Sequence, residues 1–366
     1  MEDELAPASR PRPPPRHQRL FSMLGWVAAV ALVYVVVRKV LHLDFAHAVA
    51  LIERAGVVTA VIALPYPIAM AIDTFTGQRL LSKMGQKASL GALYAIRLAS
   101  EAVLLSLPIG TAFAESMNLF LLYRVANIAP TRGVAFIVGK RWLLLRAHAF
   151  YVLGSGAIGY AILARLSRTL IHANGLPLMV LASTSIPFGI AAATAATLQG
   201  GTAARALGKL AERVPLARIR RGIQRRAEHF VETDAALAHV LRLGPRPIWS
   251  YTGLLLAAWL MDTIETWLIL HVLGVHIGFV EVYSFEAGLS LVRSMAFFVP
   301  AGLGIQDLGY FAFFSALGIP DAMGVGAAFV VLKRTKELFW VCIGYGLLVW
   351  LRLRASGAVT SVRARS

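Results

Sequence analysis

The sequence predicts an all-α polytopic membrane protein with about eight to ten membrane helices in two repeated halves. Hydrophobic residues make up 58% of the 366 positions and charged residues 15%, against roughly 25% in soluble domains. Apolar stretches of about the length needed to cross a bilayer recur along the whole chain. They cover 21–37, 56–76, 88–107, 111–129, 133–163, 177–199, 248–272, 280–299, 303–317 and 322–351.

The net charge of +17 is assigned to membrane orientation. A basic chain could bind nucleic acid, but a nucleic-acid binder does not carry repeated long apolar runs beside its basic patches. The one cysteine, Cys342, lies inside an apolar stretch. The sequence therefore predicts neither a disulfide framework nor a cysteine-based metal site.

The membrane segments form two halves around a basic linker. A Pro/Arg-rich tail at 1–20 is expected to be disordered, and the first half covers 21–200. Residues 201–247 hold ten Lys or Arg and apolar residues at helical spacing, which predicts a cytoplasmic amphipathic elbow. This elbow either connects the halves along the headgroups or senses a particular headgroup. The second half covers 248–352, and a basic tail follows at 353–366.

Two of the apolar segments are not ordinary crossings. The stretch 303–317 is too short to cross alone, and 111–129 contains both Glu115 and Arg124. Each follows a Pro-x-Gly sequence, which interrupts a helix. We expect half-helices or re-entrant elements there, lining a protein-enclosed or wet cavity.

An internal repeat relates the two halves. The matches keep their order along the chain and their offset stays between 189 and 193 residues. Because they include rare intramembrane charges, a duplication is favoured over coincidence. The pairs are Asp73-Thr74 with Asp262-Thr263, Gly85 with Gly274, Tyr94 with Tyr283, Pro108-x-Gly110 with Pro300-x-Gly302, Glu115 with Asp307, and Lys140-Arg141 with Lys333-Arg334.

The distribution of Lys and Arg favours opposite orientation of the two halves. With ten crossings and a cytoplasmic N-terminus, 21 Lys and Arg lie on the inner side and five on the outer side. The inner pieces are 1–20, 77–88, 201–246 and 352–366, and the outer pieces are 38–55 and 164–176. An odd number of crossings then separates the repeats, as in the inverted-repeat architecture of many secondary transporters. Re-entrant pieces change this parity, and the long stretches 133–163 and 322–351 can hide a break. A parallel repeat therefore stays open.

Ionisable residues inside the apolar segments are the candidate site residues, because burial in a bilayer disfavours them unless they are paired or face a cavity. Arg97 and Glu101 are four apart on one helix and can neutralise each other, either for function or merely to make burial tolerable. Asp262 and Glu265 form a like-charged couple three residues apart. The full set of candidate substrate-binding residues is Arg97, Glu101, Pro108, Gly110, Glu115, Arg124, Arg141, Asp262, Glu265, Arg293, Pro300, Gly302, Gly304, Gln306, Asp307, Lys333, Arg334 and Glu337.

The strongest constellation follows Pro300. The residues 300–304 read Pro-Ala-Gly-Leu-Gly, so a helix must stop and restart before Asp307. The restart exposes backbone N–H groups that suit a phosphate or carboxylate, and Lys333 and Arg334 add positive charge. The alternative is a Gly-rich packing turn whose basic side chains reach towards one interface.

No enzyme signature accompanies these residues. The sequence lacks Gly-x-Ser-x-Gly, a phosphate-binding Gly-x-x-x-x-Gly-Lys-Ser/Thr and His-Glu-x-x-His. We therefore predict no catalytic residues, metal ligands or cofactor.

The motif residues resemble those of the lysylphosphatidylglycerol synthase transmembrane-region family, flippase-like bacterial membrane proteins that include hopanoid-associated members. The resemblance rests on Arg293, on Pro300 through Asp307, on Leu317-Gly318 and on Lys333-Arg334, with a weaker first copy from Pro108 to Arg141. It covers roughly residues 50–350 in pattern. Family members more often have Glu at the acidic motif position, where this chain has Gln306-Asp307.

The resemblance implies a protein of the bacterial inner membrane with a cytoplasmic N-terminus that moves or binds a lipid. The expected partner is a phospholipid, a hopanoid or a polyprenyl-linked glycolipid, and no nucleic acid. Relatives with synthase activity carry a soluble aminoacyl-transferring domain, for which we expect no room before Ser366. A lipid transporter is the first hypothesis. The others are a membrane-embedded enzyme acting on a lipid-linked substrate and a scaffold for a lipid-modifying enzyme.

Overall fold

A computed structural model describes four main parts of the chain, 56–107, 110–199, 242–295 and 304–363, and a few isolated positions beside them. The predicted tail, the first apolar stretch and nearly all of the predicted elbow lie outside the described residues. The part described is helical throughout and contains no strand. This confirms the predicted all-α class.

The helices follow the predicted apolar stretches in order. A short 3-10 helix, Gly56–Ala63, comes first. The α-helices are α1 (Pro65–Lys83), α2 (Leu90–Ser106), α3 (Gly110–Ala126), α4 (Pro130–Ile158), α5 (Tyr160–Ile171), α6 (Leu176–Ser183), α7 (Ser185–Gln199), α8 (Pro245–Val272), α9 (Phe279–Met295), α10 (Ile305–Ala316) and α11 (Ala322–Arg363).

The repeat appears as two matching runs of four helices, α1 to α4 and α8 to α11. Each run begins with a proline in the first helical turn, Pro65 and Pro245, where the missing N–H costs no hydrogen bond. Just after the first helix of each run comes a glycine with positive φ, 72° at Gly85 and 80° at Gly274. Only glycine adopts this conformation without strain, so the same residue ends the same helix twice.

The two runs pack as copies related by an approximate two-fold axis. Helix α1 packs along its own counterpart, α8. Helix α2 packs along α11, and α4 packs against α9. In the repeat, α9 is the counterpart of α2, and α11 is the counterpart of α4. The α2–α11 contact is therefore equivalent to the α4–α9 contact.

Helices α1 and α8 run in opposite directions. Near the start of α1, the Tyr66 ring centroid lies 5.0 Å from Lys336 Nζ, which donates to Glu265 in the last third of α8. Near the end of α1, Arg79 lies within electrostatic range of Tyr251 in the second turn of α8. A two-fold axis that relates antiparallel helices is perpendicular to them. The halves therefore have opposite orientation, as an inverted repeat requires, and this arrangement is favoured over the parallel one.

The long stretches differ between the copies. The first breaks at Gly159, and α5 turns away from α4 by 79°. A side chain at Gly159 would collide with Ser284 on α9, so the close approach of these helices requires glycine there. The second stretch has Leu351 at the corresponding position, and α11 continues without a break for 42 residues.

The two predicted half-helices are short in the structure. Helix α10 has 12 residues, about 18 Å at 1.5 Å per residue, and cannot cross a hydrocarbon core of about 30 Å. It begins after Gly304, whose φ of 81° marks the interruption. Helix α3 has 17 residues and begins at Gly110, where a side chain would collide with the carbonyl of Leu104.

Three helical stretches in the described part are long and apolar enough to cross a membrane, and a fourth if the bent pair α4–α5 counts as one span. The sequence-based number of eight to ten also includes α2 and α9, which have 17 residues each, the 42-residue α11 and the stretch 21–37, and its upper end includes the short α3 and α10. Large apolar side chains cover much of the exterior, as expected of a lipid-facing surface. Examples are Phe113, Phe120, Ile158, Leu178, Met179, Leu338, Phe339 and Leu353.

Candidate functional site

The first copy contains an ion cluster centred on Asp73 of α1. One carboxylate oxygen, Oδ2, accepts hydrogen bonds from Arg97 Nε at 2.6 Å and from Lys140 Nζ at 2.8 Å. Arg97 also donates to Glu101, one turn along α2, which confirms the predicted pair. Three helices thus contribute to a charge-balanced group of two acids and two bases.

A cavity of about 70 Å³ opens beside this cluster, between α2, α3 and α4. Its walls carry three cations and two carboxylates: Arg97, Lys140, Arg141, Asp73 and Glu115. Two further polar atoms of the lining residues, Asp73 Oδ1 and Ser100 Oγ, are buried without a hydrogen-bond partner among the described residues. Such groups are usually satisfied by water or ligand, so this cavity is suited to a polar guest.

The pair at the mouth of the cavity is loose. Arg141 Nη2 and Glu115 Oε1 are 3.7 Å apart, and their side chains are 47% and 37% exposed. An exposed ion pair of this kind contributes about 0–1 kcal/mol. Arg141 can therefore exchange Glu115 for another anion at little cost.

The second copy contains a more deeply buried cluster. Lys336 Nζ donates to both oxygens of Glu265 at 2.6 Å, and Lys333 Nζ lies 3.7 Å from the same carboxylate. Lys333 is also 3.9 Å from Glu286. The side chains of the two acids are only 1–2% exposed, so the four charges must neutralise each other.

Glu286 on α9 is held by hydroxyl groups. Its Oε1 accepts hydrogen bonds from Thr266 and, at 2.8 Å, from Tyr310. Gln306 Nε2 donates to the Tyr310 hydroxyl at 2.9 Å, which connects the motif helix α10 to this acid. The ring of Tyr310 also lies 5.3 Å from Lys333 Nζ.

The motif acid forms its own triad at the start of α10. Asp307 Oδ2 accepts from the backbone N–H of Gly304 at 3.0 Å, which caps the restarted helix. Its other oxygen, Oδ1, pairs with Arg334 at 2.7 Å, and Arg334 also donates to Glu337 at 2.6 Å. The predicted helix interruption therefore stands beside the predicted basic residue.

The pairing of the motif charges is repeated in the two copies. Arg141 with Glu115 corresponds to Arg334 with Asp307, at 3.7 Å and 2.7 Å. In contrast, the position equivalent to Arg97 at an offset of 189 is Glu286. One copy thus has a cation where the other has an acid.

Tyr66 lies near residues of both clusters. Its ring contacts Trp340 at 5.4 Å between centroids and Lys336 at 5.0 Å. It is also within electrostatic range of Glu101 and Arg97. One aromatic side chain is therefore close to charged residues of both halves.

The structure brings most of the described candidates into these groups. Asp262 lies half-buried one turn before Glu265, and Arg124 is exposed at the end of α3, where it forms no ion pair with a described residue. Pro108, Pro300 and Gly302 lie outside the described residues, as does the side chain of Arg293 on α9. Sequence reasoning did not select Asp73, Lys140, Thr266, Glu286 or Tyr310 as site residues, whereas Lys336 belongs to the basic group that it placed after the motif.

The signals for these missed residues were partly present. Asp73 and Lys140 are both markers of the repeat, and they pair with each other. Glu286 interrupts the apolar run 280–299, and an acid inside such a run is itself a signal.

The family model described as the lysylphosphatidylglycerol synthase TM region matches residues 22–335. This match covers the repeat markers of both halves and the charged residues of the clusters up to Arg334, and it ends just before Lys336 and Glu337. Neither the curated proteins nor the solved structures contain a match to the chain.

Proposed function

The chain belongs to the lysylphosphatidylglycerol synthase TM region family, and we propose that it is a flippase-like transporter of a lipid with an anionic or glycosylated headgroup. Family membership makes it a multi-pass membrane protein involved in lipid handling. In this role the protein moves the lipid across the membrane, and the headgroup enters at the first copy of the motif whichever way the lipid moves. It places the protein in the bacterial inner membrane with a cytoplasmic N-terminus.

The cavity beside Asp73 is the observation that supports this proposal. It offers Arg97, Lys140 and Arg141 to a guest within a helix bundle whose exterior is apolar. A headgroup that enters can take Arg141 from Glu115, because that pair is loose and partly exposed. The acyl chains can stay in the bilayer while the headgroup moves between the helices.

The opposite orientation of the halves also supports transport. In inverted-repeat transporters the site lies near the middle of the membrane, at discontinuous helices, and access alternates as one half moves against the other. Here the discontinuities come just before α3 and α10. Each of these two helices carries an acid that pairs with an arginine of the long helix that follows it.

The first experiment measures scrambling of fluorescent phosphatidylglycerol in proteoliposomes. Arg141→Gln should slow scrambling several-fold and leave thermal unfolding unchanged, because its pair with Glu115 contributes little to stability. Arg132→Gln is the matched control, since Arg132 is exposed on the same helix and does not line the cavity. Equal scrambling by both variants would refute a role for the cavity.

The second copy should also affect transport. Asp307→Asn keeps an oxygen for the Gly304 N–H but loses the charge that pairs with Arg334, so we expect slower scrambling with the protein still folded. Asp321→Asn is the control, because Asp321 accepts a hydrogen bond from Gly324 N–H at the start of α11. A loss of scrambling that only tracks a loss of thermal stability would make Asp307 a structural residue.

Mass spectrometry of the copurified lipid separates transport from the alternatives. Unchanged bound lipid after incubation supports the transporter, whereas chemical conversion would identify an enzyme. Absence of any bound lipid would favour a scaffold.

A further inference from the structure

Arg146 on α4 lies outside the clusters described above and has an unusual environment. Its guanidinium carbon is 5.0 Å from the ring centroid of Trp142 and 5.0 Å from that of Trp249. Trp142 precedes it by one turn on the same helix, and Trp249 comes from α8. A planar cation between two indole rings is stabilised by cation–π attraction, but its hydrogen-bond donors still need acceptors.

The described part of the chain supplies no such acceptor. Arg146 Nε is buried and has no hydrogen-bond partner, and no carboxylate of a described residue pairs with the guanidinium. Arg146 lies within an apolar stretch of α4, where an uncompensated charge is unfavourable. An anion from outside the described residues would satisfy its free donors and offset this cost.

The surroundings indicate that this anion comes from the bilayer. Trp249 is 54% exposed on the outer surface, and Ile186 and Ile190 of the neighbouring α7 are exposed at 64% and 49%. The α7 helix contacts this face of α4, since Trp142 Nε1 donates to the carbonyl of Ala191. A ligand here would lie against an apolar, lipid-facing surface.

The residues around the site are of the types found at headgroup level. Trp249 lies in the second turn of α8, just after the exposed residues Arg242 and Arg246. Tryptophan and arginine at a helix end mark the membrane interface, where aromatic rings lie at headgroup level. Arg246 is three residues before Trp249, so both lie on the same face of α8.

The site is separate from the proposed transport cavity. At 100° per residue, the cavity-lining positions Ile137, Lys140, Arg141 and Leu144 cluster on one face of α4, and Arg146 points in the opposite direction. The repeat does not duplicate it either, because the residue at the corresponding offset of 192 is Leu338.

We propose that Arg146, with Trp142 and Trp249, binds the phosphate of an anionic phospholipid on the outer surface of the bundle. The guanidinium donates to the phosphate oxygens while the indole rings hold its plane. The acyl chains then lie along the exposed side chains of α7. The bound lipid fills the surface between α4, α7 and the start of α8.

Native mass spectrometry of the purified full chain tests this proposal by titration with phosphatidylglycerol and, separately, with phosphatidylcholine. Arg146→Gln should bind its tightest phosphatidylglycerol about tenfold or more weakly than the wild type, because the charged hydrogen bonds to the phosphate are lost. Phosphatidylcholine, which carries no net charge, should change less. Arg165→Gln on α5 is the matched control and should bind as the wild type does.

Two further variants keep the outcome interpretable. Trp249→Leu leaves Arg146 in place but removes one ring, so phosphatidylglycerol binding should weaken less than in Arg146→Gln. Arg146→Lys keeps the charge without the planar fork and should recover binding in part. Thermal unfolding in the same detergent identifies any variant that fails to fold.

Three results would overturn the proposal. One is equal phosphatidylglycerol affinity in Arg146→Gln and the wild type. Another is an equal loss for both lipids. The third concerns two competitors, soluble glycerophosphate and a short-chain phosphatidylglycerol. If both displace the bound lipid at the same concentration, the site binds free phosphate rather than a lipid. Scrambling by Arg141→Gln addresses the transport proposal independently of all three.

Discussion

Removal of one partner from the buried Glu265–Lys336 pair should destabilise the protein strongly. Lys336 donates to both carboxylate oxygens at 2.6 Å, and the side chains are 2% and 9% exposed. Breaking such a pair costs about 3–5 kcal/mol because a charge is left buried without compensation. Glu265→Gln leaves the two lysines with one buried acid fewer, and Lys336→Met leaves the two acids with one lysine fewer.

The double variant should recover much of this loss. Glu265→Gln with Lys336→Met leaves Glu286 and Lys333, 3.9 Å apart, as a neutral pair. We therefore expect the double variant to be less destabilised than the sum of the single variants by about 2–3 kcal/mol. The assay is SDS unfolding in mixed micelles, followed by circular dichroism and converted to a free energy of unfolding.

The equivalent cycle on Glu115 and Arg141 is the internal control. That pair is 3.7 Å long and its side chains are more than a third exposed, so its coupling should be below about 1 kcal/mol. Additive effects of the Glu265 and Lys336 substitutions, within about 0.5 kcal/mol, would refute the reasoning. So would equal coupling in the two cycles.

Two further predictions test the fold. Gly344→Ala should destabilise the protein, because the new Cβ would lie 2.6 Å from the carbonyl oxygen of Leu98 on α2. Gly346→Ala meets nothing within 4 Å and should be neutral or stabilising. Thermal unfolding compares the two variants, and equal effects would contradict the close packing of α2 with α11. In a cysteine-free background, an impermeant thiol reagent should label His276→Cys in intact cells but spare Lys87→Cys. An inverted repeat puts these two equivalent loops on opposite sides of the membrane. Labelling of both variants would contradict the inverted arrangement.

The helices could be predicted from the sequence because their causes are local. Apolar length fixed their positions, and glycines at Gly85 and Gly274 ended equivalent helices with positive φ. The interruption before α10 was also local, since the Gly-rich motif and the capping acid Asp307 are neighbours in sequence. The break at Gly159 could not be located, because it depends on the approach of Ser284 from a helix 125 residues away.

The ion clusters were less predictable because their partners are distant in sequence. The Arg97–Glu101 pair was predicted, since residues four apart on a helix are neighbours. Lys140 reaches Asp73 across 67 residues, and Lys336 reaches Glu265 across 71. Spacing carries no information about such contacts until the packing of α1 with α4 and of α8 with α11 is known.

The divergence between the copies bears on where the proposed headgroup enters. In the second copy, an anion would have to displace Asp307 from Arg334 at 2.7 Å, in a pair whose side chains are 10% and 19% exposed. In the first copy it has only to displace Glu115 from Arg141 across 3.7 Å, in a pair that is 37% and 47% exposed. A buried ion pair costs more to break than an exposed one, because a charge is left behind without compensation. The repeat therefore supplies two similar frameworks with different exposure, and we expect the first copy to receive the headgroup while the second keeps its charges compensated.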